Sequence, residues 1–351
     1  MSRKVRWGVL GSGGIARRRT IPEGITPAAH AKLVAVFDVN TTANAEVARQ
    51  FDAKPVAGVE ELLRCDLDAV YIATPPNVHR EQTLACAQAG KHVLCEKPLG
   101  LTVADAEALI AACRKAGVRL GTAFMMRFLA QHQAALQLIR GGQLGQPVFA
   151  RAQLSCWYPP VPGAWRQDPA LGGGGSLMDM GGHCIDLLEM FFGLVCSVNC
   201  FTNRTVHSYP SEDSAVVSLR FANGALGVVD AFFCMPDEAS RNRLELYGSL
   251  GSILAQGTIG QGDHGEMIAF LKQGAGAYDA QQARSGRGGV AIAPPPVNTY
   301  RAEIEEFSQA ILEGREPSNS AALGRQSQRV LAACYASAKT AKAIQLDSPM
   351  L

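Results

Sequence analysis

VRWGVLGSGGIA, residues Val5 to Ala16, is the stretch on which the reading of the whole chain turns. An apolar run, Val5 to Leu10, stops at Gly11, Ser12, Gly13, Gly14, Ile15 and Ala16, the order G-x-G-x-x-G/A where a strand gives way to a helix. The small residues sit where bulk is not tolerated: Gly11 permits a tight turn, Gly13 lets a pyrophosphate approach the backbone, and Ala16 lets helix pack closely on strand. Gly14 and Ile15 lead into the helix, whose free amide groups then face the phosphates. A glycine-rich turn alone is weak support, so its surroundings carry the argument. A second apolar run, Leu33 to Phe37, ends in Asp38 about 20 residues past the motif, where an acid accepts hydrogen bonds from the adenosine ribose. Asp38 repels a 2′-phosphate, and Val39 and Asn40 follow it in place of Arg, so the expected cofactor is NAD. NADP stays possible because Arg17, Arg18 and Arg19 crowd the first helix.

The alternation continues downstream. Thr41 to Phe51 and Val59 to Arg64 read as helices, and DAVYIA, Asp68 to Ala73, as a buried strand. Thr74, Pro75, Pro76 and Asn77 form a stiff turn, with Asn77 expected to cap a helix from Val78 to Ala89. HVLCEKPLG, His92 to Gly100, is a further strand whose carboxyl end presents Glu96 and Lys97, at the edge where ligands collect in open α/β sheets. A cis bond before Pro98 would aim the Lys97 ammonium into a cleft. A helix from Val103 to Ala116 and a strand from Arg119 to Phe124 complete an alternation of strands with helices, the pattern of a doubly wound sheet.

Composition excludes several classes of function. The chain has 351 residues, 47% hydrophobic and 18% charged, which is globular material enough for two domains. A formal charge of +2 and a pI near 8.0 provide no basic field for nucleic acid. No apolar run reaches membrane-spanning length, and MSRKVRWGVLG lacks the apolar core of a signal peptide, so a cytoplasmic protein is expected. Ten cysteines are scattered without a CxxC pair and read as reduced core thiols, with no metal site expected.

Beyond Phe128 the pattern changes. After a helix from Leu129 to Arg140 come period-two strands at Phe149 to Cys156, Val195 to Thr205, Ala215 to Phe221, Leu226 to Phe233, Arg243 to Tyr247 and Gly251 to Ala255, which imply an antiparallel sheet. Asn223-Gly224 is the expected hairpin turn, supplying positive φ angles, and Gly257 to Gly265 and Gln273 to Pro296 read as loops. Such a sheet buries one face within its domain, so the other is expected to pack on a second subunit, as a homodimer or homotetramer. SLMDMGGHCIDLLEMFF, Ser176 to Phe192, reads as a helix with Ser176 as its cap and Asp179 and His183 on one face. Four glycines ahead of it, Gly172 to Gly175, and Gly181 and Gly182 within it suggest close approach of a ligand, the nicotinamide being a candidate. On this segment alone His183 is as well explained as a core histidine satisfied by Asp179. The upstream WYPPVPGAWRQDP brings Trp157, Tyr158, Trp165 and Arg166, suited to a sugar or polyol, with an interface as the rival reading. Two amphipathic helices, Tyr300 to Leu312 and Ala321 to Ala343, are expected to return to the first domain.

In this order the GxGxxA loop, the acid at Asp38, the TPP-N-x-H turn, the EKP of Glu96 to Pro98 and the GGG-x-LMD-x-G-x-H segment resemble the Gfo/Idh/MocA family of NAD(P)-dependent oxidoreductases over nearly the whole chain. The resemblance implies an α/β fold: an N-terminal doubly wound Rossmann domain, residues 1–125, then an α+β domain with a large, mostly antiparallel open sheet, 126–299, and C-terminal helices, 300–351. It implies Lys97, Asp179 and His183 as the catalytic set, Lys97 holding the reacting oxygen and Asp179 orienting His183 as the base. Cofactor contacts are implied at the glycine loop, Asp38, Thr74, Pro75, Asn77, His79, Glu96 and Lys97, and substrate contacts at Arg127, Trp165 and Tyr300. Met125 and Met126 stand before Arg127 where several members carry a polar residue. The expected reaction is hydride transfer between NAD(P) and a secondary alcohol or ketone of a sugar, polyol or related cyclic compound. A glycosidase that oxidises its substrate transiently with NAD, and a non-catalytic NAD-sensing regulator, are the alternatives on the same fold.

Overall fold

The computed structural model describes residues 3–271 and 288–347. Strands β1 (Val5–Leu10), β2 (Ala31–Phe37), β3 (Lys54–Pro55), β4 (Ala69–Ile72), β5 (His92–Glu96) and β6 (Leu120–Ala123) form one sheet in the order β3-β2-β1-β4-β5-β6, with every pairing parallel. Helices cover both faces, which is why AVYI of β4 is apolar without alternation and buried throughout. Strand order reverses between β1 and β4, so the loops at their carboxyl ends diverge and leave a crevice. At Gly11, φ is 82° and an added Cβ would meet the Ala73 carbonyl oxygen at 2.6 Å, so only glycine closes this turn.

The two-residue strand Lys54–Pro55 is too short to show a period and was not expected, and two further details of this half differ from the expectation. The segment after the glycine loop, Ala16–Ile25, winds as a wide π-type helix with Pro22 inside it. Proline lacks the amide and its ring crowds the carbonyl one turn back, which the wider winding accommodates. The next expected cap is also displaced: the helix spans Pro76–Gln88, Pro75 precedes it, and Asn77 lies exposed in its first turn without capping it. Pro76 needs no amide partner at that position, so the two prolines set the start and no side-chain cap is required.

The second sheet has nine strands among the described residues: β7 (Pro147–Ser155), β8 (Val195–Asn203), β9 (Ser214–Phe221), β10 (Leu226–Phe232), β11 (Arg243–Gly248), β12 (Gly251–Gln256), β13 (Glu266–Leu271), β14 (Val290–Ala291) and β15 (Ile344–Gln345). Their order is β14-β13-β12-β11-β7-β10-β9-β8-β15, antiparallel except where β10 runs parallel to β7. The last three strands went unanticipated. β13 buries only Met267 and Ala269 between glycine-rich segments, and β14 and β15 are too short to show a period. Of the expected loop Gln273 to Pro296, residues 273–287 lie outside the described residues and Val290–Ala291 pair with β13. At the β9–β10 hairpin only Gly224 has positive φ, at 92°. Asn223 acts through its side chain instead, accepting from the Ala225 amide at 3.0 Å and donating to the Phe192 carbonyl at 2.9 Å.

The inner face of this sheet and the helices Gly182–Phe192 and Ala321–Thr340 share one core, with Leu187, Leu188 and Phe191 facing Val217, Leu219 and Val229. Each such side chain contributes about 1.5–3 kcal/mol by leaving water. The two C-terminal helices divide their packing. Thr299–Glu313 lies on the Rossmann side, where Phe307 meets Trp7 at a ring distance of 5.7 Å and Trp7 Nε1 donates to Ser308 Oγ at 3.2 Å. Ala321–Thr340 touches both halves: Gln328 donates to the Leu101 carbonyl at 2.8 Å, and Ser337 Oγ accepts from the Cys200 amide at 2.9 Å. Among the described residues no helix is long and apolar enough to cross a membrane.

Candidate active site

A cavity of about 210 Å³ opens between the carboxyl edge of the first sheet and the inner face of the second. β5 delivers Glu96 and Lys97 to it, and the Lys97–Pro98 bond is cis. Across the cavity, residues Leu177–Gly181 wind as a wide π-type turn that tightens into the helix Gly182–Phe192, presenting Asp179 and His183. Lys97 Nζ donates to both the backbone oxygen and Oδ1 of Asp179, each at 2.6 Å. Arg166, from the long loop after β7, donates from Nε to Asp179 Oδ2 at 2.9 Å, and its guanidinium lies 4.1 Å from the centre of the Trp165 ring.

This corrects the expected pairing of Asp179 with His183. The carboxylate is taken by two cations and makes no hydrogen bond to the ring, because in a wide turn four residues no longer complete a revolution. Burial pushes the Asp179 carboxyl up, but Arg166 and Lys97 outweigh it and hold it well below the usual carboxylate range. His183 is moved the other way. Burial, with Lys97 beside it, holds the imidazole well below its ordinary value, so it is neutral at neutral pH. Its Nδ1 is buried and finds no hydrogen-bond partner among the described residues, and its ring meets Phe124 edge-on at 6.1 Å.

The start of this helix is held by a residue that sequence reasoning missed. Glu212, before β9, accepts through Oε1 from the amides of Gly175 at 2.8 Å and Leu177 at 3.1 Å, and from Tyr335 Oη at 2.9 Å. Ser176 does not cap: its backbone is already helical and its hydroxyl is buried without a partner. The glycines here also serve the chain itself and not a ligand. A Cβ at Gly174 would overlap the Tyr335 hydroxyl, one at Gly175 the Glu212 carbonyl, and one at Gly181 would meet the Leu177 side chain at 2.8 Å. At Gly182 a Cβ would only touch Leu331, at 3.5 Å.

The crevice at the end of β1 fits a dinucleotide. A Cβ at Gly13 would meet Asp38 Oδ2 at 3.0 Å, while above Gly14 there is open space for a phosphate to approach the loop. Asp38 accepts from the Gly13 amide at 2.7 Å and the Asn40 amide at 2.8 Å, so the acid also fastens the glycine loop to β2. Comparison with known proteins agrees: residues 5–124 match the oxidoreductase family with an NAD-binding Rossmann fold, and 132–254 match the GFO/IDH/MocA C-terminal domain. A 1,5-anhydro-D-fructose reductase from Ensifer adhaerens is 30% identical, covering 98% of this chain and 99% of its own.

The chain belongs to the Gfo/Idh/MocA oxidoreductase family. A myo-inositol 2-dehydrogenase from Thermotoga maritima is likewise 30% identical, over 76% of this chain and 82% of its own. Among solved structures, an aldose-aldose oxidoreductase from Caulobacter crescentus complexed with glycerol superposes with a TM-score of 0.87 at 30% identity, covering 98% of this chain and all of that one. The Rossmann half of this Gfo/Idh/MocA oxidoreductase is thus a nicotinamide-dinucleotide domain.

The other residues expected in a Gfo/Idh/MocA site fall in different places. Ile15, Thr74, Glu96, Trp165 and Tyr300 line the cavity. Asn77 is exposed on its helix, and His79 is fully buried with its ring nitrogens 2.8 Å from the carbonyls of Thr74 and Pro98. Its ring joins the two loops that flank the cofactor crevice, which leaves it no free edge for a ligand. Arg127 turns away from the cavity into an ion pair with Asp186, at 2.9 and 2.7 Å from its two oxygens, because the short helical turn Met125–Phe128 points Met125 and Met126 inward in its place. Tyr71, also unanticipated, is fully buried under Glu96: its hydroxyl donates to Glu96 Oε1 and accepts from Thr20 at 3.0 Å. Arg166 was visible in the sequence only as one basic residue in an aromatic loop; its tie to Asp179 is a tertiary fact.

Proposed function

We propose that this enzyme moves a hydride between NAD and a secondary alcohol or ketone of a sugar, polyol or related cyclic compound, with Lys97, Asp179 and His183 as its catalytic set. The observation that carries this reading is the meeting of those three residues in one cavity beside the glycine loop, with Lys97 Nζ 2.6 Å from Asp179. The names of the relatives, an anhydrofructose reductase and an inositol dehydrogenase, support the substrate class. The nicotinamide ring, when bound, supplies the site that accepts or gives the hydride. The glycine loop Gly11 to Ala16, Asp38, Thr74, Pro75 and Glu96 are the residues we assign to holding it, and Asp38 favours NAD over NADP.

Lys97 spends two of its three ammonium protons on Asp179 and has the third for the reacting oxygen, where it stabilises developing alkoxide charge. Asp179, kept anionic by Arg166 and Lys97, fixes that ammonium in place. His183, kept neutral, has a ring nitrogen able to take the hydroxyl proton as the carbinol carbon loses hydride. We further propose the domain division 1–125, 126–299 and 300–351, pairing of the outer face of the nine-stranded sheet with a second copy, and a cytoplasmic location, for which the ten unpaired cysteines speak.

A screen of polyols, aldoses and anhydrosugars with NAD, run on the wild type and on His183→Ala and Lys97→Ala, tests the reading. Expected is NADH formation by the wild type, a kcat lower by ~10²–10⁴ in His183→Ala with unchanged NAD binding, and a loss in both kcat and substrate binding in Lys97→Ala. A stable, fully active His183→Ala protein would sink the mechanism, and tightly retained NAD with sugar cleavage but no net NADH would point to a glycosidase instead.

A further inference from the structure

We infer that the substrate is a ring with few hydroxyls beyond the reacting one, such as a deoxy, anhydro or alicyclic diol compound, and not a fully hydroxylated polyol. This narrows the reading above and rests on it. The cavity wall contains Met125 and Met126 from the turn after β6, Leu154 from β7 and Met180 from the turn that carries Asp179. Met125, Met126 and Leu154 are 5%, 5% and 7% exposed, so each is packed from behind and presents only its tip to the cavity.

Much of the polar capacity of the cavity is already spent. Thr74 Oγ1 donates to Gln82 at 2.7 Å, Glu96 Oε1 accepts from Tyr71, and both oxygens of Asp179 are held by Lys97 and Arg166. Arg18 and Gln261 stand with Ile15 beside the glycine loop, on the side that the cofactor would take. The reacting oxygen would use Lys97 and His183. Among the described residues the side-chain donors that remain for the other hydroxyls of the substrate are Arg166 and Tyr300, and the remaining acceptor is Glu96 Oε2, which already takes the Lys97 amide at 3.3 Å, against three methionines, a leucine and the face of Trp165.

A hydroxyl moved from water to such a wall without a partner is strongly disfavoured, whereas a ring CH₂ or an ether edge gains dispersion with a polarisable thioether. Each extra hydroxyl on the ring therefore selects against binding.

The test is a graded series of alcohols with NAD, trans-cyclohexane-1,2-diol, anhydroglucitol and myo-inositol, read as kcat/KM and separately as protection against thermal unfolding in the presence of NADH. Expected is a rise of at least ~10-fold in kcat/KM from the most to the least hydroxylated member, with thermal protection in the same order. Met126→Gln, which sets an amide in the wall, should shrink that ratio towards unity. Equal turnover across the series, or a preference for myo-inositol, overturns the inference while leaving the dehydrogenase reading intact. If no alcohol is oxidised the dehydrogenase reading falls, and the order of thermal protection still decides: protection by the polyol first, or by none, overturns this inference as well.

Discussion

At Asp179 one carboxylate answers two cations, and that arrangement separates the roles of the residues around it. Replacing it by Asn leaves Lys97 and Arg166 facing each other without their counter-charge, so Asp179→Asn should lose stability of the order of 3 kcal/mol as well as turnover. Chemical denaturation together with kcat checks this, and unchanged stability would mean that the two cations find other partners. His183 makes a prediction of opposite character. Its folded pKa lies well below the ordinary value of about 6.5 and the neutral ring is the active form, so kcat/KM for alcohol oxidation should stay level from neutral pH down past about 6.5 and fall only below that. A pH–rate profile breaking at or above pH 7 would remove His183 as the base. At this scale the sequence was legible in part. Lys97, Asp179 and His183 were named from their motifs, but which of them touch was not, because the ion pair of Asp179 with Arg166 depends on a loop that folds back over the turn.

Among the elements, the helix that presents His183 depends on Glu212, a residue from a neighbouring segment. Glu212→Ala would leave the amides of Gly175 and Leu177 and the Tyr335 hydroxyl without their acceptor, at about 1–3 kcal/mol for a buried donor. The melting temperature should drop and kcat should fall with it, since the same turn carries Asp179. Glu212→Gln, which keeps an acceptor oxygen, should recover most of both. The helix Ala130–Arg140 provides a pH test of stability. His132 is buried at its start with Nδ1 2.8 Å from the Met126 carbonyl, and burial lowers its pKa to about 4. The unfolded ring, near 6.5, binds more protons between those values than the folded one, so stability falls as pH drops from about 6.5 towards 4. His79 and His183 are shifted in the same direction. Thermal unfolding at pH 7 and pH 5 reads this, and His132→Gln should flatten the slope; a slope that His132→Gln leaves unchanged would place the effect elsewhere. Periodicity found most of these elements, yet it missed Glu212 as a cap, because a cap supplied from a distant segment leaves no local signature.

For the whole molecule, the outer face of the nine-stranded sheet sets the question of assembly. Phe201 and Val216 are paired across β8 and β9 and are 69% and 41% exposed; Leu226, paired with Phe149, is 51% exposed. Apolar pairs of this kind, interrupted by the Arg151–Asp230 ion pair, suit a second copy of the same sheet. Sedimentation at micromolar concentration should find a dimer or tetramer, and Phe201→Asp together with Leu226→Asp should shift it towards monomer. A wild-type monomer would defeat the proposal.

Sequence alone determined the architecture because the two halves use different periods: continuous apolar strands between helices demand a parallel sheet covered on both faces, and alternation without helices demands a sheet with one face left over. It also determined the cofactor crevice, since only glycine tolerates the approach of the Gly11 backbone to Ala73, and the acid at the end of β2, Asp38, accepts from the Gly13 amide. Tertiary structure decided what local pattern cannot encode: that Arg127 retreats to Asp186, that Arg166 advances to Asp179, and that Met125, Met126, Leu154 and Met180 meet in one cavity wall. Arg127 and Asp186 are 59 residues apart and Arg166 and Asp179 are 13 apart, beyond the reach of helical or strand periodicity, and the geometry of these contacts is set by how the two sheets pack against the helix Gly182–Phe192.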